Sequence, residues 1–281
     1  VRDYLEQNKM PDSNEIIKHP PKASGLIKVI CIIRAILGGP LAALWTAALS
    51  AMGILITNIT SSQKVSDAIV SIWVDVLCRI FNVHIRVKGL ENLPDEGVIF
   101  IFNHTSHYDI PIFHNAVPKS GRFGAKIELY KIPIFGRSLT AMGALPIARG
   151  DRERVLEVYR QSIPLVKQGR SFILAAEGTR LPYEGVGEKL KAGPFLFAIE
   201  AQCPIVPVVI HGASKIVPKG SLLAGKDYWK HLAQVQILPP MSTLGLTQDD
   251  RPRLIEKAKT EMHKAYNELA ASMVDASIDR N

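Results

Sequence analysis

The chain has 281 residues, 47% of them apolar and 21% charged, with a formal net charge of +8 at pH 7. That length and balance exclude a disordered chain and leave room for one large core or for a domain plus an appendage. The positive charge calls for an anionic partner, which charge alone does not identify: nucleic acid, an anionic membrane surface or a phosphorylated substrate.

In chain order, the first 25 residues carry Pro11, Pro20, Pro21 and several charges without periodicity, and read as a polar extension. Between Arg34 and Lys64 there is no charged side chain, and residues 41–59 form a nearly continuous apolar run of helix-forming character. At about 1.5 Å per residue this run matches the hydrocarbon thickness of a bilayer. It starts late, is long and lacks a small-residue cleavage site, so a cleaved signal peptide fits poorly. A buried core helix and a membrane-contacting helix are the alternatives, and the length of the uncharged stretch favours contact. Gly38-Gly39-Pro40 predicts a break between a short basic helix over 26–37 and the longer apolar one.

Residues 65–81 have an amphipathic helical pattern. Beyond them, short β-branched or aromatic runs at 84–87, 98–102, 122–125, 144–147, 172–175, 205–210 and 234–238 predict strands. They alternate with predicted helices at 110–117, 134–142, 152–167, 194–202 and 250–272. Buried strands separated by helices predict an α/β fold with a mainly parallel central sheet flanked by helices. The expected division is an extension with membrane-associated helices over 1–82 and an α/β domain over 83–281. Cys31, Cys78 and Cys203 are widely spaced, form no C-x-x-C pair, and read as reduced, buried thiols facing a cytosolic environment.

Two segments carry chemistry. Residues 98–109 run off an apolar strand into Asn103-His104-Thr105-Ser106-His107-Tyr108-Asp109 and then a helix, and loops at the carboxyl ends of such strands are where open α/β sheets place their sites. A histidine acts as a general base toward a hydroxyl when its ring is oriented and its charged form stabilised, and a nearby aspartate does both. The four residues between His104 and Asp109 permit that pairing across a strand-to-helix turn. Asp109 also stands two residues before Pro111, so it serves equally as a helix cap. The second segment ends a strand in Glu177-Gly178-Thr179-Arg180, where glycine allows close backbone approach, threonine supplies a hydroxyl and arginine a forked donor suited to phosphate. Glu177 either fixes the Arg180 guanidinium or forms a surface ion pair. Arg149, Lys189 and Lys191 recur in nearby loops, either as solvated charges or as parts of one anionic-headgroup pocket with Arg180.

Other chemistries leave weaker traces. His104, His107, Asp109 and His114 crowd one stretch, as in a metal-dependent hydrolase, but there is no H-E-x-x-H and the spacing fits no standard zinc signature. Residues 185–189 lack P-loop spacing, and Ser106 lies in no G-x-S-x-G elbow. A non-catalytic basic protein binding nucleic acid or anionic lipid is a third reading.

The pairing of Asn103–Asp109 with Glu177–Arg180, about 70 residues downstream, closely resembles the glycerolipid acyltransferase family, in particular the 1-acylglycerol-3-phosphate acyltransferases. Residues 143–149 (GALPIAR) and 206–210 (VPVVI) resemble two weaker blocks of that family, so the resemblance covers about residues 83–212. It implies His104 and Asp109 as catalytic residues and Arg149, Glu177, Gly178, Thr179, Arg180 and Lys191 as acceptor-binding residues. It implies no tightly bound cofactor and no metal, acyl-CoA or acyl-carrier protein as donor substrate, and a lysophospholipid acceptor in the bilayer, with phosphatidic acid as product; no nucleic acid partner is expected. Leu181 where the family often has Ser, Ala175-Ala176 before Glu177 where Phe-Pro is common, and Ala148 in place of an acidic residue bear on acceptor identity. Backbone amides near Thr105 and Ser106, or at the following helix start, are expected to hold the oxyanion. With Lys22, Lys28 and Arg34 ahead of it, a single span would put the catalytic domain on the outer side, away from a cytosolic donor. The expectation is therefore a monotopic helical hairpin at the cytoplasmic face of a bacterial inner membrane.

Overall fold

A computed structural model describes residues 17–60, 62–221 and 224–275; most of the expected polar extension lies outside them. The elements in chain order are β1 (Ile17–His19), α1 (Gly25–Ile59), α2 (Gln63–Ile80), β2 (Val83–Lys88), β3 (Ile99–Phe102), α3 (Asp109–Ala116), β4 (Gly121–Lys126), α4 (Phe135–Ala141) and β5 (Leu145–Ile147). They continue with α5 (Arg152–Lys167), β6 (Ser171–Ala175), α6 (Ala192–Ala201), β7 (Ile205–His211), β8 (His231–Ile237), α7 (Arg251–Ser272) and β9 (Met273–Asp275). All seven predicted strands form one sheet in the order β2-β8-β7-β3-β6-β4-β5, parallel throughout except where β7 meets β8. The pairing of β1 with β9 was not anticipated, because two three-residue strands have too little pattern to read.

Side-chain alternation along the strands divides the core into two layers. Ile99 and Ile101 of β3, with Phe172 and Leu174 of β6, pack beneath α5, α6 and α7. Phe100 and Phe102 point the other way, into a layer closed by Phe81 after α2 and by Ile112 and Phe113 of α3. With both faces covered, β3 is buried along its whole length, which is why its sequence, IFIF, reads as an unbroken apolar run.

This topology lines up the loops that matter. β3 and β6 are parallel neighbours in register at Phe102 and Ala175, so the turns that follow them emerge side by side. β4 lies next to β6 and pairs with β5 through Lys126 and Ile147, which brings the loop carrying Arg149 to the same edge. Four carboxyl-terminal ends thus meet at one rim, where open α/β sheets bind ligands.

The expected helix break at Gly38-Gly39-Pro40 is not there: α1 runs unbroken for 35 residues with Pro40 inside it. Packing offsets the hydrogen bond that proline cannot make. A side chain at Gly38 would lie 3.0 Å from Ile80 and Phe81, so glycine lets α1 settle directly on the end of α2. Arg34 donates to the carbonyls of Gly225, Tyr228 and Trp229, and its guanidinium stacks over the Trp229 ring at 5.2 Å. Farther along, Trp73 donates to Thr46 at 2.9 Å, and Gly53 faces Met142. The helix is therefore fastened to the domain from residue 34 to residue 53, while its other face exposes Leu26, Ile33, Leu37, Leu41, Leu44, Leu55 and Ile59. It is long and apolar enough to cross a membrane by length and composition.

Arg34→Ala should lower stability by about 2 kcal/mol, because three carbonyls lose a charged donor. Thermal unfolding should show a drop of a few degrees, and residues 224–230 should become more open to proteolysis. Unchanged unfolding would show that the clamp contributes nothing.

Candidate active site

Asp109 is the first residue of α3 and is fully buried. Its Oδ2 accepts three hydrogen bonds: from Nδ1 of His104 at 2.8 Å and from the backbone amides of Thr105 at 2.7 Å and Ser106 at 2.9 Å. The two sequence readings of Asp109, capping and orientation, are thus joined in one oxygen, which shapes the turn before the helix and fixes the imidazole. A carboxylate at Nδ1 keeps the proton there and leaves Nε2 as the basic nitrogen. The amides of Thr105 and Ser106 are consumed by this arrangement, so they are not the oxyanion donors expected from the sequence.

The rest of the turn is equally committed. Asn103 bridges three segments, donating to the carbonyls of Gly185 and Ile210 and accepting from the Ile210 amide. The Ser106 hydroxyl donates to the carbonyl of Val217 and accepts from the Tyr108 amide, which makes it a brace within the turn. Among the described residues no three of His, Cys, Asp or Glu are grouped as metal ligands would be. His114, from the crowded stretch, is half-buried, and desolvation together with Arg122 pushes it down to about 4, so it is neutral at ordinary pH.

Glu177 does something other than expected. It makes no ion pair with Arg180; its two oxygens accept from the amides of His104 and Gly187, each at 3.1 Å. The carbonyl of His104 in turn accepts from the Leu181 amide at 2.7 Å, so the Glu177–Leu181 segment holds the His104 backbone on both sides. Two glycines make this possible. Gly178 adopts φ +70°, and a side chain at Gly187 would come within 2.5 Å of Glu177. Burial raises the Glu177 carboxyl to about 7, against the opposing pull of its backbone hydrogen bonds.

His104 lines a cavity of about 360 Å³ with two unlike ends. Leu49 of α1, Trp73 of α2 and Phe135, Leu139 and Met142 around α4 make one end apolar, while His107, Lys126, Arg149, Thr179 and Arg180 make the other polar and cationic. Arg149, Thr179 and Arg180 were anticipated. Lys126 was not, although it closes β4 at the same sheet rim; nor was Lys219, which donates to the Arg180 carbonyl at 3.0 Å. Lys191, the residue before α6, lines a second cavity together with Gly178, and Lys189 lines neither.

Similarity to known proteins falls on the same region. The family model described as "Acyltransferase" matches residues 84–211. The chain is 32% identical over 161 residues to the chloroplastic 1-acyl-sn-glycerol-3-phosphate acyltransferase LPAT1 of Arabidopsis thaliana, an alignment covering 57% of this chain and 44% of that protein. It is 28% identical over 209 residues to the 1-acyl-sn-glycerol-3-phosphate acyltransferase of Saccharomyces cerevisiae, covering 71% of this chain and 67% of the relative. The chain thus spans less than half the length of the plant relatives, 44% and 46% of the Arabidopsis and Brassica napus proteins. The crystal structure of the 1-acyl-sn-glycerophosphate acyltransferase PlsC from Thermotoga maritima shares the fold, with a TM-score of 0.69 at 22% identity, covering 87% of this chain and 96% of that one.

Glu177 yields a test that needs no substrate. Its folded pKa of about 7 lies above the ordinary 4.5, so the folded state binds the extra proton and Glu177 costs stability as pH rises from about 4.5 to 7. Glu177→Gln removes that dependence. From pH 4 to pH 8 the stability of the variant relative to wild type should therefore improve by a few kcal/mol. Denaturant unfolding at the two pH values measures it, and a flat difference would mean that burial does not raise this carboxyl.

Proposed function

We propose that this chain, whose residues 84–211 match the acyltransferase family model, moves a fatty acyl group from a thioester donor, acyl-CoA or acyl-carrier protein, to the hydroxyl of a lysophospholipid. The acceptor best supported is 1-acylglycerol-3-phosphate, which gives phosphatidic acid in phospholipid biosynthesis, because the relatives are named for that acceptor and because lysine and arginine side chains share the cavity with His104. The observation that carries the reading is the 2.8 Å bond from His104 Nδ1 to a buried Asp109, set where an apolar cavity turns cationic.

In this mechanism Nε2 of His104 takes the proton of the acceptor hydroxyl as its oxygen attacks the thioester carbonyl. Asp109 stabilises the imidazolium that forms. The tetrahedral intermediate collapses with loss of the thiol, whose sulfur takes the proton back from His104. Arg180, with Lys126 and Arg149, holds the acceptor phosphate and adds positive charge near the developing oxyanion. Glu177 positions the His104 backbone and does not itself touch the acceptor, and the apolar end of the cavity takes a hydrocarbon chain.

The catalytic domain is assigned to residues 83–281 and the membrane-associated part to 1–82. A helix fastened along its length to the domain, with leucine and isoleucine on the opposite face, suits α1 lying in the plane of one leaflet. Such a helix requires no translocation of the domain, and we assign the domain to the cytoplasmic face of a bacterial inner membrane, where a thioester donor is soluble.

His104→Ala should reduce transfer to 1-acylglycerol-3-phosphate by a factor of about 10² to 10⁴ or more without unfolding the protein. Asp109→Asn should lose about a thousandfold or more per folded molecule. Near wild-type conversion of radiolabelled acyl-CoA by either variant would end the mechanism. For the membrane assignment, Leu41→Asp with Leu44→Asp should abolish sedimentation with anionic vesicles while sparing transfer to a short-chain soluble acceptor. Undiminished vesicle binding would contradict the in-plane helix.

A further inference from the structure

We propose that a second cavity, of about 800 Å³, receives the phosphate-bearing arm of the thioester donor. The proposal rests on the acyl-transfer reading and assigns the donor a place of its own. This cavity lies against the Glu177–Gly178–Thr179 backbone and shares Gly124, Arg149 and Thr179 with the first, but His104 lines only the first.

Its chemistry is that of an anion site with an apolar floor. Arg149 and Arg152, from one stretch of chain, and Lys191 and Arg251, from two others, line it. The lining carboxylates are already engaged: Asp151 accepts from the Arg154 amide at 3.0 Å, and Glu177 accepts from two other amides. The first turn of α6 adds Ala192 and Gly193 to the lining, with no side chain capping its amides, and the positive end of that helix favours negative charge. Beneath the cations lie Val155, Leu156 and Tyr159, the last stacked on Phe197 at 4.8 Å.

Bond counting decides which substrate fits. In the acceptor, the reacting hydroxyl and the phosphate sit on adjacent carbons of a glycerol, so the phosphate stays on the His104 side, among Arg180 and Lys126. In the donor, a long pantetheine arm separates the thioester from its first phosphate. With the carbonyl at His104 and the acyl chain in the apolar end, the route from there to the second cavity runs past Arg149 and Thr179, which line both cavities. Coenzyme A and acyl-carrier protein present the same phosphopantetheine chemistry.

The test is steady-state kinetics of the full chain in vesicles, comparing wild type with Arg251→Ala and, separately, Arg152→Ala. The donors are acyl-CoA, acyl-carrier protein, acyl-phosphopantetheine and acyl-pantetheine, which lacks phosphate. Each variant should raise the KM of the phosphorylated donors about tenfold, as loss of a charged contact does, and leave the KM of acyl-pantetheine and of 1-acylglycerol-3-phosphate unchanged. A rise confined to acyl-CoA supports the cavity with coenzyme A as its source; one confined to acyl-carrier protein supports it with the protein-bound arm. An equal rise on acyl-pantetheine, a rise in the acceptor KM alone, or no rise at all overturns it. If wild type transfers to no lysophospholipid, the acyl-transfer reading falls, and titration with coenzyme A alone still tests the cavity. Calorimetric binding weakened about tenfold in Arg251→Ala supports an arm site, and equal or absent binding rejects it.

Discussion

One carboxylate oxygen holds the site together. Asp109 is buried, and a buried carboxylate oxygen without donors is costly; among the described residues none donates to Oδ1, and the donors gather on Oδ2. It finds three, two from the backbone of the turn that precedes it and one from the imidazole of His104. Satisfying the charge therefore bends the chain between β3 and α3 and aims the ring at once. Structural and chemical demands on Asp109 are not separable, and any change there is read out in both.

That oxygen works only because the sheet delivers the rest. A strand buried on both faces ends where its apolar run ends, and β3 and β6, parallel and in register, end together. Asn103 then ties the turn to β7 and to the Gly185 region, and Glu177 reaches back from the neighbouring turn to the His104 amide. Both buried side chains lock backbone, so the imidazole hangs from a frame that is rigid before any substrate arrives. α1 and α2 complete the apolar half of the cavity from outside the sheet, and the same packing that closes the cavity anchors α1 along the domain.

The strands and helices of the domain were legible because their patterns are long and unmixed: IFIF, FILA and IVPVVI are too short for core helices and too apolar for loops. His104 with Asp109 was legible because both lie in one short turn. The role of Glu177 is not legible, for the opposite reason. Its partners, the amides of His104 and Gly187, are backbone groups that leave no mark in the sequence, whereas Arg180 stood three positions away and looked like a partner. The helix break failed on the same ground, since Gly38-Gly39-Pro40 carries a local breaking signal but gives no hint that Gly38 would be pressed against Phe81. Lys126 carries no signal in the sequence, because its place near Arg149 depends on β4 pairing with β5, a relation set by topology alone.

The central claim is that Asp109 fixes His104 with its proton on Nδ1 and its base on Nε2. Nitrogen-15 NMR of the full chain in lipid nanodiscs, with histidine selectively labelled and His104 assigned by substitution, measures this at a pH where the ring is neutral. The account predicts a protonated Nδ1 and an unprotonated Nε2, with the pattern lost or scrambled in Asp109→Asn. A neutral His104 carrying its proton on Nε2 would contradict it.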